Sequence, residues 1–459
     1  MEYLAKGKLS RRHFLAGTAA TGIVTAFGCG QQNQIRNNVA NQISGLPEVE
    51  GWKITRWEQD PWSRGSYSYI PAGSSSILRI QLAEPTDGRR FMAGEATQSD
   101  FPATVNGAVK SGKRAASEVL QARRVESCIV VGAGAAGLAA AAQLNQSGCD
   151  VTVLEGRDRI GGRAWTEDLQ GSPVDLGASW FHGVNTHTLT PRAKELGIEL
   201  IPTDYENGIL FDSSGNRFDW SRLNKFYDFI YGSIIGKASK ESMGPLIENY
   251  RESLSMKDRN WFDYVVVSEI EHEFAAHVED LSLLATSEGA SPIGGDAVPR
   301  SGYAPFMEDL AKDLDIRLST KVSEISHDDI GAKVITDKGI FTGDAVVVTL
   351  PLGVLQSGSV QFRPSLSVKQ QAAINGLGMG LLNKIAIKFK EPFWDISMDL
   401  IGRIPDNRGY FVEWYNAIPW TGEPILVGYN AARSASEIEA WSDAETLQAA
   451  LNILKTMQF

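Results

Sequence analysis

The sequence predicts an α/β protein of two intertwined parts, a parallel-sheet domain of Rossmann type and an α+β domain with a mixed sheet. Three observations carry this expectation. The chain has 459 residues, 43% of them apolar, which is enough to bury a large core and to form more than one domain. From Cys128 to Glu155 an apolar run, a glycine-rich turn, a helix-forming stretch and a second apolar run follow one another. Farther on, Asn383-Lys384-Ile385-Ala386-Ile387-Lys388-Phe389 alternates as a strand, whereas residues 204–288 read as helical, acidic and aromatic. The composition fits neither a disordered nor a fibrous chain.

The stretch 128–155 is the most informative. Cys128-Ile129-Val130-Val131 leads into Gly132-Ala133-Gly134-Ala135-Ala136-Gly137, then into the helix formers 138–144. A turn at Ser147-Gly148 precedes the strand Val151-Thr152-Val153-Leu154, which ends at Glu155. This is the complete βαβ context in which a G-x-G-x-x-G match signifies dinucleotide binding. Gly132 permits the tight turn, Gly134 admits a pyrophosphate close to the backbone, and Gly137 lets helix pack on strand. The helix N-terminus offers free N–H groups to the phosphates, and Glu155 is placed to accept from the adenosine ribose.

Arg157-Asp158-Arg159-Ile160-Gly161-Gly162-Arg163 follows at once and makes a second pocket for a longer, doubly charged cofactor, FAD rather than NAD. Here the sequence resembles the flavin amine oxidases, which carry a matching arginine, Gly-Gly, arginine segment with a GR2-like FAD-binding domain. The resemblance continues through Asp175-Leu176-Gly177-Ala178-Ser179-Trp180. It implies non-covalent FAD, because Ser66 stands where monoamine oxidases carry the flavin-bonding cysteine. It also implies contacts to FAD from Ala136, Glu155, Arg157, Gly162, Arg163, Gly177, Ala178, Ser179, Trp180 and the backbone of Val322.

The family's closing segment comes first in this chain. Residues 52–69, including Trp57, Trp62 and Tyr67, are followed by Phe91-Met92-Ala93-Gly94-Glu95 and by Phe101-Pro102-Ala103-Thr104-Val105-Asn106-Gly107-Ala108, from which a helix runs to residue 120. This block resembles the C-terminal flavin-binding part of the family and implies cofactor contacts from Trp57, Trp62, Glu95, Thr104 and Val105. The helix from Thr104 would point its N-terminus at the flavin N1 and O2 edge, where negative charge develops. The chain is expected to be a circularly permuted amine oxidase fold. A rearranged reading frame is the other reading, disfavoured because both joins fall at loops and no motif is lost. The expected division is a signal segment at 1–29, a linker at 30–45 and a strand with flavin loop at 46–70. FAD-domain pieces follow at 71–200 and 296–355, a helical substrate part at 201–295 and a substrate-domain sheet at 356–459.

On the substrate side, pattern alone makes Lys384 a solvent-facing strand lysine, whereas the resemblance makes it the lysine that holds a water beside flavin N5. Tyr67 matches the aromatic residue that steers the amine. Thr104 replaces the second aromatic wall of monoamine oxidases, which favours the polyamine oxidase and lysine-specific demethylase branch. His182 matches a histidine of polyamine oxidases, with a structural role equally open. Glu271 and Glu273 are candidates to hold a distal ammonium, against the plain reading of solvated helix faces. Trp414, Tyr415 and Tyr429 could line the substrate cavity or pack the core.

The formal charge of -11 argues against nucleic acid and mildly favours cationic substrates, although on charge alone simple solubility is the preferred reading. The expected reaction is oxidation of a spermine- or spermidine-class amine with O2 reduced to H2O2. An L-amino acid oxidase or other monoamine oxidase is the alternative, although no arginine is identified to clamp a carboxylate. A non-catalytic flavoprotein is the alternative of another class. Three cysteines and six histidines show no metal spacing, so no metal is expected. Oligomeric state is left open. At the start, Lys6, Lys8, Arg11 and Arg12 precede an apolar run at 14–27 that is too short to span a bilayer. Ser10-Arg11-Arg12-His13-Phe14-Leu15 resembles a twin-arginine export signal, which implies periplasm or cell envelope; a basic arm is the plainer reading. Ala26-Phe27-Gly28-Cys29 resembles a lipoprotein site with Ala in place of the usual Leu, so a lipid anchor at Cys29 and its absence both stand.

Overall fold

Ala345–Val348 is buried at every residue, as a strand covered on both faces must be. In the computed structural model, which describes residues 45–122, 125–405 and 409–459, it sits in a five-stranded parallel sheet. The order is Asp315–Arg317, Asp150–Leu154, Ser127–Val131, Ala345–Val348, Arg90–Met92. The alanine-rich helix Ala135–Gln146 packs on helix Val105–Gln121, and the two come so close that a methyl on Gly112 would stand 2.1 Å from the Ala136 carbonyl oxygen.

The second layer is a seven-stranded sheet, ordered Val49–Ile54, Leu382–Phe389, Ile425–Ala431, Glu413–Asn416, Leu400–Arg403, Gly208–Phe211, Arg217–Phe218. Its neighbours are antiparallel except for the parallel pair of Leu400–Arg403 with Gly208–Phe211. The stretch expected as a helical part at 201–295 therefore also supplies two strands, 208–211 and 217–218. Their short alternation is hidden among aromatic and charged residues. All eight residues of Leu382–Phe389 are buried, so the expectation of an exposed Lys384 from pattern alone is corrected: its neighbours cover both faces of that strand.

The N-terminal block joins both layers. Val49–Ile54 pairs with Leu382–Phe389 in the mixed sheet, and Arg90–Met92 edges the parallel sheet. Helix Val105–Gln121 begins where Thr104 accepts from the Gly107 amide at 2.9 Å, a threonine N-cap. The two ends of the described chain also meet. A Cβ on Gly45 would lie 3.9 Å from Lys455 Cε, and Leu46 packs on the cluster that holds Leu454 and Met457. No helix among the described residues is long and apolar enough to cross a membrane. The expectations for residues 1–44, Cys29 included, lie outside the described residues.

Candidate active site

A cavity opens at the carboxyl ends of strands Ser127–Val131 and Asp150–Leu154, where a parallel sheet places its ligands. Gly132 has φ +109°, which a side chain rarely adopts. A methyl on Gly137 would stand 1.9 Å from the Gly132 carbonyl oxygen, so this glycine serves packing and does not line the cavity. Gly134, Ala135 and Ala136 form the helix N-terminus on the cavity wall. Gly162 lines it from the opposite loop, so near that a Cβ on it would lie 3.1 Å from Gly134 Cα. Glu155 is buried and accepts from the Ala133 amide at 2.7 Å and the Arg157 amide at 2.8 Å.

The two arginines that follow are fixed by residues far away in sequence. Arg157 donates to both oxygens of Asp60, at 3.1 and 2.8 Å, and to Ser63 Oγ at 2.8 Å. Arg163 donates to Glu95 Oε1 at 3.0 Å and to the Ser66 carbonyl at 2.7 Å. Burial pushes the Glu95 carboxyl up, yet Arg163, Arg79 and the Ser68 hydroxyl together hold it below the usual carboxylate value. Trp62 lines the cavity and lies against Gly156, where a Cβ would stand 2.5 Å from its ring. Val322 lines the end nearest Thr320, and Tyr67, Thr104 and Val105 line it beside Ala103. Trp57 is placed differently: it is 1% exposed in the core and absent from the cavity wall, because its ring packs with the apolar layer under Leu381. Its carbonyl accepts from the Gly65 amide at 2.8 Å, which shapes the loop instead.

Tyr67 links this cavity to an aromatic cluster. Its hydroxyl donates to the His272 carbonyl at 2.7 Å, and the His272 ring centroid lies 6.2 Å from that of Tyr429. Trp180 packs 4.9 Å from Tyr415 and 6.2 Å from Tyr429 and donates to Thr203 Oγ1 at 3.0 Å. Lys384 Nζ lies 5.4 Å from the Tyr429 ring centroid. Trp414, by contrast, stacks on Phe411 in a different core cluster, since adjacent strand residues face opposite sides.

Lys384 is 3% exposed. Its Nζ reaches the Asp175 carbonyl at 3.1 Å, the Gly177 carbonyl and the Ser179 hydroxyl at 2.7 Å. Burial pushes the lysine pKa down and the Asp175 carboxyl pKa up. The two carbonyls can only accept, whereas the Ser179 hydroxyl can turn to donate. Ser179 is therefore the partner that lets Lys384 exist as either ammonium or amine. Ala178 is fully buried between these groups.

His182 Nδ1 lies 2.7 Å from Asp296 Oδ2, and Asp296 also accepts from the Gly183 amide and the Tyr205 hydroxyl, both at 3.0 Å. The Glu271 carboxylate is buried 3.5 Å from His277 Nε2, and Glu273 is partly buried rather than solvated. His272 Nδ1 lies 2.9 Å from Glu413 Oε2. Neither glutamate of the pair 271 and 273 lines the dinucleotide cavity; they flank His272, whose carbonyl accepts from Tyr67 and whose ring neighbours Tyr429. Sequence reasoning missed Asp60, Asp296 and Glu413, whose partners are more than ninety residues away. It also missed Thr349 and Leu350 on the wall, although their place at the carboxyl end of Ala345–Val348 was signal enough.

Backbone amides bare of side chains, a helix N-terminus, a carboxylate ending the second strand and two clamped guanidinium groups together fit a dinucleotide. A family model described as flavin containing amine oxidoreductase matches residues 31–120 and 135–459. Polyamine oxidase 4 of Oryza sativa subsp. japonica is 35% identical over 356 residues, covering 72% of this chain and 72% of that protein. Polyamine oxidase 2 of Arabidopsis thaliana is 35% identical over 350 residues, covering 70% of each. Lysine-specific histone demethylase 1 homolog 2 of Arabidopsis thaliana is 34% identical over 351 residues, covering 72% of this chain and 47% of that protein. Among solved structures, putrescine oxidase bound to putrescine superposes with a TM-score of 0.59 at 20% identity, over 72% of this chain and 81% of that one, a likeness of fold.

Proposed function

This chain belongs to the flavin containing amine oxidoreductase family, and on that premise we propose that it oxidises a polyamine of the spermine or spermidine class. It is a flavin-dependent amine oxidase with FAD as its cofactor. The observation that carries the substrate reading is the make-up of the site: the rings of Trp180 and Tyr429 stand beside Lys384, Tyr415 packs on both, and the adjoining His272 is paired with the buried Glu413 carboxylate, as His277 is with that of Glu271. Aromatic faces and buried acids attract an extended cation with more than one nitrogen. Kinship with polyamine oxidases supports the same reading.

We assign the cofactor contacts as follows. The N-terminus of helix Ala135–Gln146, with Arg157 and Arg163 held in place, takes the phosphates, and Glu155 takes the adenosine ribose. The N-terminus of helix Val105–Gln121, which borders the cavity at Thr104 and Val105, would offer partial positive charge to the flavin. Bound FAD supplies a two-electron acceptor for the amine's α C–H. Tyr67 and Trp180 orient the amine, and His182, held by Asp296, stands at the Trp180 side of the cluster. Lys384 holds and relays a proton beside the reacting nitrogen, through the Ser179 hydroxyl that can switch direction. The net reaction consumes O2 and one water, which hydrolyses the oxidised C–N bond, and gives an aldehyde, a shorter amine and H2O2.

The chain order is read as circularly permuted. Gly45 adjoins Lys455, the block from Val49 to Gln121 completes both sheets, and the family model matches in two segments. The basic start and the apolar run at 14–27 support export by a twin-arginine-type signal, with Cys29 as a candidate lipid anchor.

Four measurements check these readings. Purified protein assayed for peroxide against spermine, spermidine, putrescine, tyramine and L-amino acids should respond to spermine or spermidine. A response confined to tyramine or an amino acid would refute the substrate class, and silence with all would refute turnover with oxygen. Burial disfavours the Lys384 ammonium, so the limb of the rate profile that rises as Lys384 loses its proton should lie below the ordinary lysine range. Lys384→Met should abolish that limb and lower kcat about 100-fold; an unchanged profile removes this lysine from the chemistry. A chain rejoined from residue 459 to residue 45 by a short linker and opened between 122 and 125 should fold and bind FAD as the original does, and failure to fold counts against permutation. Arg11→Lys with Arg12→Lys should retain the protein in the cytoplasm on cell fractionation; undiminished export would rule out the twin-arginine route.

A further inference from the structure

A second cation stands behind the Glu95 carboxylate. Arg79, on helix Ile77–Ala83, is 1% exposed. Its Nε donates to Glu288 Oε1 at 2.6 Å and its Nη2 to Glu288 Oε2 at 3.0 Å, so the two side chains form a buried two-point pair. The remaining nitrogen, Nη1, donates to Ser68 Oγ at 2.6 Å, and Ser68 Oγ donates to Glu95 Oε2 at 2.6 Å. A guanidinium can only donate and a carboxylate can only accept, so the Ser68 hydrogen is forced toward Glu95. Glu95 then serves two structures at once. Its Oε1 accepts from Arg163, and its Oε2 also accepts from the Ala103 amide at 3.1 Å. Ala103 has φ +60°, a left-handed conformation that costs energy for alanine, and it leads directly into Thr104, the N-cap of Val105–Gln121.

We propose that Arg79 and Glu288 are a positioning pair for the FAD pocket, acting through Ser68 to fix Glu95 and, through Glu95, both Arg163 and the strained entry to helix Val105–Gln121. Neither Arg79 nor Glu288 lines the cavity, so their effect on it is indirect. The pair rests on the FAD reading above and adds a control on how that cofactor is gripped. The groups that face Glu95 are Arg163, Arg79, the Ser68 hydroxyl and amide, and the Ala103 amide. Burial pushes the Glu95 carboxyl up, and the two arginines with Ser68 oppose it. Without Arg79 the opposition weakens, and Glu95 takes up its proton at higher pH. A protonated Glu95 releases Arg163 and loosens the Ala103 turn.

Apoprotein titrated with FAD, read by quenching of flavin fluorescence, tests this at pH 8 and pH 5.5. Replacing both partners, Arg79→Met with Glu288→Gln, removes one buried charge of each sign and leaves the net charge unchanged. In this double variant FAD affinity should already be weaker than wild type at pH 8 and should fall about tenfold more than wild type on going to pH 5.5. A double variant whose affinity follows the wild-type profile overturns the inference and leaves the pair a purely structural one. Should the double variant not fold, Ser68→Ala breaks the relay with both ion pairs intact and must show the same acid-side loss. Wild-type apoprotein that takes up no FAD at either pH would instead defeat the cofactor reading.

Discussion

Arg157 leaves the first βαβ unit as a buried charge and Arg163 as a partly buried one, and the carboxylates that balance them arrive from far upstream. Asp60 is 97 residues from Arg157, and Glu95 is 68 residues from Arg163. An unpaired guanidinium at this depth costs several kcal/mol, about 3–5 by the removal of one partner from a buried pair. The dinucleotide unit therefore cannot be completed by its own local sequence. It needs the N-terminal block in register, and that block carries a strand into each sheet and the helix Val105–Gln121. Charge balance, not apolar burial alone, decides how the segments interlock.

This constraint explains what the sequence could and could not reveal. The βαβ unit was legible because its signals are local: a β-branched run, three glycines at fixed spacing and a carboxylate at a strand end. The stretch Val346 to Leu350 carries a local signal of the same kind, a continuous apolar run broken only by Thr349. Lys384 was not legible from pattern. Alternation marks a half-buried strand, but Leu382–Phe389 lies between Val49–Ile54 and Ile425–Ala431 and is covered on both faces. Only a resemblance to a family pointed to that lysine. Trp57 and Trp62 sit five residues apart in one aromatic stretch, and nothing local says that the first packs the core while the second meets Gly156. Asp60, Asp296 and Glu413 carry no local mark, because a carboxylate's partner is set by tertiary contact.

The proposed permutation would share a physical basis with the site geometry. A cut in the chain is tolerated where it separates no hydrogen-bonded ladder and exposes no buried polar group. The contacts that matter here lie between blocks: Arg157 with Asp60, Arg163 with Glu95, and strand Val49–Ile54 with Leu382–Phe389. Such contacts are indifferent to the order in which the blocks are joined, provided that each block keeps its own local signals. The block 46–121 keeps them, with a threonine cap and an edge strand, so under the proposed permutation it would present the same surface from either end of the chain.

The same logic places Lys384 at the seam. Its strand belongs to the mixed sheet, and its Nζ is bonded to the segment 175–179, which continues from the strand Ser172–Asp175. A lysine so placed closes the two layers on each other only while its acceptors are satisfied, and burial works against its charge. Two of the three acceptors are carbonyls that need a donor. The third is a hydroxyl that tolerates either state. The arrangement therefore holds its geometry with or without the proton, since the neutral amine still donates twice to the carbonyls and can accept from Ser179. The serine therefore suits the proton-holding role proposed for Lys384, which a third carbonyl would not.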